Sequence, residues 1–208
     1  MIRSLILGGA SCVWDDLEFA LSISEFDRAY TVNDITTIWR GPITACVSLH
    51  TEKWPYWLAI RKKNGLELPN RVVGHLNYKR SCFKMSPLVT EYIDHLYPGQ
   101  NDAGSSGLFA IKVALDDGAD RVVVCGCPMT EEGRHYFDKR PWGGAVGQRR
   151  GWRQSISHIK SRTRSCSGWT MELLGKPTFE WLVGDDSDGE IQQGCGRSNA
   201  THDDQQNQ

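Results

Sequence analysis

The residues from Gly104 to Gly107, GSSG, are small, carry two hydroxyl groups and stand directly before an apolar segment with a helical pattern. The first turn of a helix presents N–H groups that have no partner inside the helix, and the helix dipole adds partial positive charge there. Glycine lets an anion approach the backbone, and serine hydroxyls add further donors. The sequence therefore predicts that Ser105, Ser106 and Gly107 hold a phosphate or a ribose.

Small and polar residues also follow the segments that have the pattern of β-strands. They form four further groups: Gly8-Gly9-Ala10-Ser11, Asn33-Asp34, His50-Thr51-Glu52 and Gly126 to Met129. In a doubly wound α/β sheet, the carboxyl ends of the strands and the N-termini of the following helices meet along one edge. We therefore predict a nucleotide-type ligand at that edge. The sequence contains neither GxGxxG nor GxxxxGKS/T, so neither the usual dinucleotide-binding loop nor a P-loop is indicated.

A basic segment spans residues 134 to 164, where nine bases accompany a single acid, Asp138. Three hypotheses apply to it: a lid that closes on a diphosphate-containing donor, a surface for nucleic acid, or an ordinary solvated loop. Its glycine content predicts a loop rather than a helix before Trp152. Arginine forks suit phosphate, and tryptophan offers a stacking face. The candidate groups are Arg149, Arg150 and Arg153 as a phosphate clamp, with Trp142 and Trp152 as stacking partners in the nucleic-acid hypothesis.

Two side chains at the start of this segment are candidates for catalysis. Histidine is the side chain best suited to general-base catalysis near neutral pH, which makes His135 a candidate base, and Tyr136 lies beside it. A histidine that is simply exposed at the surface is the alternative explanation.

Strand-like and helix-like segments alternate along the chain and must position these groups. Val122 to Val124 is a continuous apolar run, typical of a parallel strand buried on both faces, and Gly118 suits the end of the preceding helix. The segment after Gly9 predicts a helix with Trp14, Leu17 and Leu21 inward and with Asp15 and Asp16 in its first turn, favouring the helix dipole. We predict a single α/β domain over residues 1 to 184 with a doubly wound, mostly parallel Rossmann-like sheet.

Composition limits the remaining possibilities. The net charge of −1 argues against a protein that binds polyanions over its whole surface. Residues 185 to 208 hold six acids and one base with few apolar residues, and they are predicted to form a disordered tail. The seven cysteines show no zinc-finger spacing, and buried thiols are the favoured reading of Cys125 and Cys127. The apolar run from Leu5 to Leu7 is too short for a signal sequence, and nothing approaches a membrane span. A cytoplasmic protein without membrane contact is predicted.

Three stretches resemble a known group of enzymes: LILGGASCVWDDL, AYTVNDI and SSGLFAIKVALDDGADRVVVCGCPM. They are similar to the bacterial sialyltransferases with a Rossmann-like single domain and to their relatives, the motility-accessory-factor and MptE-like (pterin pyrophosphokinase) group. The resemblance covers residues 3 to 34 and 104 to 129. The later stretch SCSGWTMELLGKPTFEWL also resembles uncharacterised phage-encoded proteins.

The resemblance implies roles for individual residues. Gly8, Gly9 and Ser11 would face the donor phosphates, and Asn33 would bind the nucleotide or the donor sugar. The serines before the apolar helix would hold ribose or phosphate. In the sialyltransferases a later histidine is the base and tyrosines support the leaving phosphate, which His135 and Tyr136 would do here.

Three functions follow as hypotheses. The first is a glycosyltransferase-like enzyme that uses a nucleotide-activated donor, with no firmly predicted cofactor. The second is a diphosphokinase or related phosphotransfer enzyme, with Mg²⁺ held by Asp34 and Glu52 as a second carboxylate. The third is a protein that binds a nucleotide, or nucleic acid through residues 134 to 164, without catalysis.

Overall fold

The computed structural model describes residues 1–76, 85–138, 140–141 and 143–184. The predictions for the acidic tail after residue 184 and for Trp142 fall outside these residues. Seven strands form one all-parallel sheet in the order β5-β4-β3-β2-β1-β6-β7. They are β1 Arg3–Leu7, β2 Arg28–Val32, β3 Ala45–Ser48, β4 Val72–His75, β5 Glu91–Ile93, β6 Arg121–Cys125 and β7 Thr163–Ser165. The predicted doubly wound α/β fold is therefore confirmed.

Helices connect the strands on both faces of the sheet. They are α1 Val13–Ile23, α2 Trp54–Lys63, α3 Ser106–Asp116, α4 Ala145–Gln154, α5 Ile156–Ile159, α6 Gly168–Leu174 and α7 Phe179–Val183. Two short 3-10 helices, Asn33–Thr37 and Thr51–Lys53, follow β2 and β3. No helix within the described ranges has the length and apolarity that crossing a lipid bilayer requires.

The two faces of the sheet bury separate cores because successive side chains of a strand point in opposite directions. On β1, Ile6 packs into the core that α3 covers, whereas Leu5 and Leu7 pack into the core beside α1 and α7. On β6, Val122 and Val124 face α3 while Val123 faces the opposite layer. Burial of the valine run on both faces was predicted and is confirmed. Both faces of the sheet are thus covered at β1 and β6.

The direction of strand addition reverses between β1 and β6. Strands β2 to β5 extend the sheet on one side of β1, and β6 and β7 extend it on the other. The helices that leave β1 and β6 therefore lie on opposite faces, which opens a crevice beyond the carboxyl ends of these two strands. Gly8 and Gly126, the first residues after the two strands, stand at this crevice.

The structure corrects two predictions about helices. Helix α4 begins at Ala145 and continues through Gly147 and Gly151, where a loop was predicted. Tertiary contact outweighs the low helix propensity of glycine: Trp152 is fully buried, and a Cβ at Gly151 would collide with the backbone of Gly104. In α1, Leu21 was predicted to face inward but is 54% exposed.

Candidate functional site

A cavity of about 390 Å³ lies at the crevice between β1 and β6. Loops after β1, β2, β3 and β6 and the first turn of α3 all contribute to its wall. Eight of the residues to which the sequence analysis assigned an individual role line it: Gly8, Gly9, Asn33, Asp34, Ser105, Ser106, Gly107 and His135. The topology therefore brings these separate sequence groups together at one concave surface.

Two of the glycines are required by packing against one buried thiol, and a third is required by its backbone conformation and a close backbone approach. A Cβ at Gly8 would collide with Cys127 Sγ, and a Cβ at Gly107 would lie 2.7 Å from the same sulfur. Gly126 has a φ of 70°, and its Cβ would meet the carbonyl of Gly8 at 2.7 Å. Burial raises the pKa of the Cys127 thiol well above its ordinary value, as expected for a sulfur packed against glycine backbones. The glycines hold β1, β6 and α3 close together.

The hydroxyls that open α3 are engaged within the protein. Ser105 Oγ accepts hydrogen bonds from the N–H of Leu108 and from Nε1 of Trp152, both at 3.2 Å. Ser106 Oγ accepts from the N–H of Leu49 at 3.1 Å. These bonds fix the start of α3 against β3 and α4. What the first turn offers to the cavity is then the backbone N–H groups of Ser106 and Gly107, which have no carbonyl partner one turn earlier.

Two non-glycine residues of the cavity have a left-handed backbone. Asn33 has a φ of 56° and Met129 a φ of 49°, and no other non-glycine residue in the described ranges has a positive φ. Such conformations cost free energy and persist where surrounding contacts enforce them. Asn33 Oδ1 accepts from Ser48 Oγ at 2.6 Å, and the carbonyl of Met129 accepts from Arg149 Nε at 2.9 Å. The strained positions thus lie at the cavity and are held by specific hydrogen bonds.

An antiparallel bridge between Ala10 and His135 joins the loop after β1 to the loop after β6. The N–H of Tyr136 donates to the carbonyl of Gly9, and the N–H of Ser11 donates to the carbonyl of Arg134, both at 2.8 Å. This pairing carries His135 across the crevice to the end of β2.

The bridge brings His135 to Asp34. His135 Nδ1 lies 4.0 Å from Asp34 Oδ2, and both side chains are partly buried. Gly9 stands between them, because a Cβ there would lie 3.0 Å from Asp34 Oδ1 and 3.0 Å from His135 Nδ1. A carboxylate beside an imidazole can orient the ring and stabilise its protonated form, which is an arrangement suited to general-base catalysis.

Burial dominates the electrostatics of Asp34. It raises the pKa of the Asp34 carboxyl above its ordinary value, while the charge of His135 and the N–H groups of Asp34 and Ile35 act in the opposite direction. One carboxyl oxygen, Oδ1, is buried without a hydrogen-bond partner among the described residues. Gln148 also belongs to the lining, and its Oε1 is likewise buried without a hydrogen-bond partner among the described residues. Two acceptor oxygens at one cavity favour a ligand that brings hydroxyl or N–H donors.

Three cavity residues had no signal strong enough to single them out in the sequence. Trp57 reaches the lining from α2, Arg134 from the loop after β6, and Gln148 from α4. Arg134 was one of nine bases in its segment, and Gln148 lay in a stretch for which a loop was predicted. Only the position of α4 beside α3 brings Gln148 to the cavity.

The predicted arginine clamp does not line the cavity in this structure. Arg149 and Arg153 stack on Trp169, with guanidinium-to-ring distances of 5.1 and 5.2 Å. Arg150 Nε pairs with Asp102 Oδ2 at 2.9 Å. These contacts anchor α4 to its neighbours, and Arg134 is the basic side chain that the described lining contains.

Ser11, Tyr136 and Glu52 also lie outside the lining. Ser11 is exposed, and Tyr136 packs edge-on against Trp14 with a ring-centre distance of 5.8 Å. Glu52 Oε1 lies 3.6 Å from His50 Nδ1. Within the described ranges, no three His, Cys, Asp or Glu side chains form a group that could hold a metal ion. Asp34 therefore has no second carboxylate in the lining with which to bind Mg²⁺.

Comparison of the chain with protein-family models, with curated proteins and with solved structures finds no match in any of the three. Inference about function therefore rests on the geometry of the cavity.

Proposed function

We propose that this protein is a glycosyltransferase-like enzyme that binds a nucleotide-activated sugar donor in the cavity between β1 and β6. The observation that carries the proposal is the Asp34–His135 pair, which shares one cavity with the first turn of α3. A transferase of this kind needs a base for the acceptor and donors for the departing phosphate. Both sets of groups border the same space.

The phosphates of the donor lie against the N–H groups of Ser106 and Gly107 and against Arg134. Helix N-termini and guanidinium groups are common phosphate partners in proteins. The hydroxyls of the ribose or sugar donate to Asp34 Oδ1 and Gln148 Oε1, which satisfies the two buried acceptors. The lining thus offers donors that suit an anion and acceptors that suit a hydroxylated group.

In the proposed reaction, an acceptor hydroxyl gives its proton to the His135 imidazole. Its oxygen forms a bond to the activated carbon of the donor sugar. The bond from that carbon to the phosphate oxygen breaks, and the electron pair leaves with the nucleotide. Asp34 stabilises the imidazolium that forms, and the α3 amides stabilise the charge on the departing phosphate.

The test is a thermal-shift panel with CMP, UDP, GDP, ATP and single-stranded DNA, each with and without Mg²⁺, combined with mass spectrometry of nucleotides that co-purify. A nucleotide at 100 times its Kd stabilises the folded state by about 2.7 kcal/mol. We expect one nucleoside phosphate to raise Tm without Mg²⁺. A response to DNA alone would contradict the proposal, and a strict requirement for Mg²⁺ would favour diphosphoryl transfer instead.

Turnover of the matching nucleotide sugar separates binding from catalysis. His135→Gln should lower kcat by about 100-fold or more, the usual contribution of a general base, and should retain the nucleotide-induced shift in Tm. His158→Gln is the matched control, because this histidine contacts Pro98 and Tyr97 outside the cavity lining. Equal kcat values for the two variants would remove His135 from the mechanism.

A further inference from the structure

Basic side chains are concentrated between residues 143 and 176, in the helices before and after β7, the strand at one edge of the sheet. This segment holds seven bases and a single acid, Glu172, whereas the whole chain has a net charge of −1. The bases are Arg149, Arg150, Arg153, Lys160, Arg162, Arg164 and Lys176. The described lining of the cavity contains none of them, so the proposed donor site does not account for this charge.

Three of these bases and one serine share a single face of the helical segment formed by α4 and α5. They are spaced four, four and three residues apart, which places them on the same side of a helix. In chain order they are Arg149, Arg153, Ser157 and Lys160. Ser155, at the junction of α4 and α5, has helical backbone angles, and its N–H donates to the carbonyl of Gly151 at 3.2 Å. The helical path therefore continues, and at 1.5 Å per residue the row extends over about 16 Å.

Trp169, on α6, holds two of the guanidinium groups of this row. The Arg149 and Arg153 guanidiniums lie 5.1 and 5.2 Å from the centre of its ring, and the indole packs against the core. A cation over an aromatic ring is attracted to it, and the contact restricts where the side chain can point. Among the described residues, no carboxylate pairs with either guanidinium or with the exposed Lys160 ammonium. The charges of the row are thus positioned without being neutralised.

A row of positive charges along one helix face suits a polymer that carries negative charges at regular intervals. Nucleic acids have one negative charge for about every 3.4 Å of each strand, so the row spans several phosphates, whereas a free nucleotide would occupy only one end. Guanidinium groups bind phosphate oxygens through paired N–H donors, and the exposed Ser157 adds a hydroxyl. Within the described residues, Arg149 uses only Nε in a hydrogen bond, with the carbonyl of Met129, so its Nη groups remain for a phosphate.

The surroundings of the row favour contact with one strand, through its backbone. Arg150, which lies to one side of the row, pairs with Asp102 at 2.9 Å, so this base does not supply a second row for the other strand of a duplex. Trp152, predicted as a stacking partner for a base, is fully buried and cannot reach one. The described groups of the row are phosphate partners and do not distinguish one base from another.

We propose that Arg149, Arg153 and Lys160 form a surface that binds the sugar–phosphate backbone of single-stranded nucleic acid without sequence preference. This function goes beyond the proposed donor site and does not depend on it, because none of the three residues belongs to the described lining of the cavity. Affinity for such a surface comes from the release of counterions from the phosphates, so it falls steeply with salt concentration.

The experiment measures fluorescence anisotropy of labelled oligothymidylate, oligodeoxyadenylate and oligouridylate of about 16 nucleotides with the full-length protein. The double variant Arg153→Gln/Lys160→Gln should weaken binding of all three by about tenfold or more at about 50 mM salt. It should also flatten the slope of log K against log salt by about 0.7 for each lost phosphate contact, about 1.4 in total. The matched control is Arg40→Gln/Lys62→Gln, which removes the same two charges at exposed positions outside residues 143 to 176 and should bind as the wild type does.

The outcomes separate this surface from other partners and from the donor site. Failure of the wild type to bind at about 50 mM salt, or equal losses in the two double variants, would overturn the surface. Equal competition by polyglutamate of the same total charge would overturn the assignment to phosphate. Arg153-dependent sedimentation with phosphatidylserine vesicles, without oligonucleotide binding, would assign the row to a membrane instead. If no nucleoside phosphate shifts Tm while oligonucleotides bind in an Arg153-dependent manner, the proposed transferase fails and the surface stands.

Discussion

Asp15 and Asp16 are adjacent in the sequence and lie in the same first turn of α1, yet the structure gives them different environments. Asp15 is exposed, whereas Asp16 is 6% exposed and buried beneath the cavity loops. One oxygen of Asp16, Oδ2, accepts from the N–H of Gly126 at 2.8 Å and from Ser167 Oγ at 2.7 Å. This carboxylate therefore ties α1 to the end of β6 and to the start of α6.

The structure gives the magnitude of the effect expected for Asp16→Ala. Hydrogen bonds to a charged group contribute about 1.5–3 kcal/mol each. The bonds from Gly126 and Ser167 are lost together with the longer one from Cys12 Sγ at 3.5 Å, and the Gly126 N–H is left buried and unpaired. The free energy of unfolding should fall by about 3 kcal/mol or more. Asp15→Ala removes only the interaction with the helix dipole, about 0.3–1 kcal/mol, which Asp16→Ala also removes. The difference between the two variants therefore isolates the buried contacts.

Urea unfolding followed by tryptophan fluorescence measures this difference, with equal m-values as the condition for comparing the free energies. Asp16→Asn should give an intermediate loss, because the amide oxygen retains one acceptor but carries no charge. If the free energies of unfolding of Asp16→Ala and Asp15→Ala agree within about 0.5 kcal/mol, the ordinary scatter of surface substitutions, the contacts of Asp16 do not stabilise the fold.

Three further predictions concern Gly147 in α4, the buried carboxyl of Asp34 and the hydrogen bonds of Ser105. Gly147→Ala should stabilise the protein by about 0.5–1 kcal/mol in urea unfolding, because a Cβ there meets nothing within 4 Å; a loss would contradict a helix at this position. Asp34→Asn should raise Tm at pH 7, because burial raises the pKa of Asp34 in the folded state and the ionised carboxylate therefore destabilises the fold. This gain in Tm should shrink as the pH falls towards 3.8, where the wild-type carboxyl becomes protonated. Asp138→Asn should show no such gain, since Arg140 lowers the pKa of Asp138 to about 2; equal gains in pH-dependent Tm scans would refute the assignment. Ser105→Ala should lower the free energy of unfolding by about 1–3 kcal/mol in the wild-type background. The loss should be smaller in a Trp152→Phe background, because no buried indole N–H loses its partner there, and equal losses in urea unfolding would refute this coupling.

Local sequence patterns predicted most of the sheet because they report burial and backbone preference directly. The apolar run from Leu5 to Leu7 lies within β1, and the valines of β6 are buried on both faces as expected. Gly118 has a φ of 83° just after α3, the conformation that its position at the helix end predicted. The alternation of strands and helices was sufficient to predict the doubly wound fold.

The same patterns were misleading where a distant contact decides the local conformation. Gly147 and Gly151 predicted a loop, but the burial of Trp152 and the close approach to Gly104 hold a helix there. That Gly8 and Gly107 contact phosphate stays a prediction, and the structure adds a separate packing reason for both glycines. In the structure their lack of a side chain accommodates Cys127 Sγ, a requirement that nothing near them in the sequence reveals.

The sequence by itself determined which polar groups follow β1, β2, β3 and β6 and which open α3, and therefore which groups could meet at the carboxyl edge of the sheet. Only the tertiary structure decided which of them do meet. The Ala10–His135 bridge brings His135 to Asp34, and the packing of α1 on β6 buries Asp16 while Asp15 stays exposed. The physical reason is that periodicity records a residue's own backbone and average burial, whereas proximity between distant residues is set by how whole elements pack.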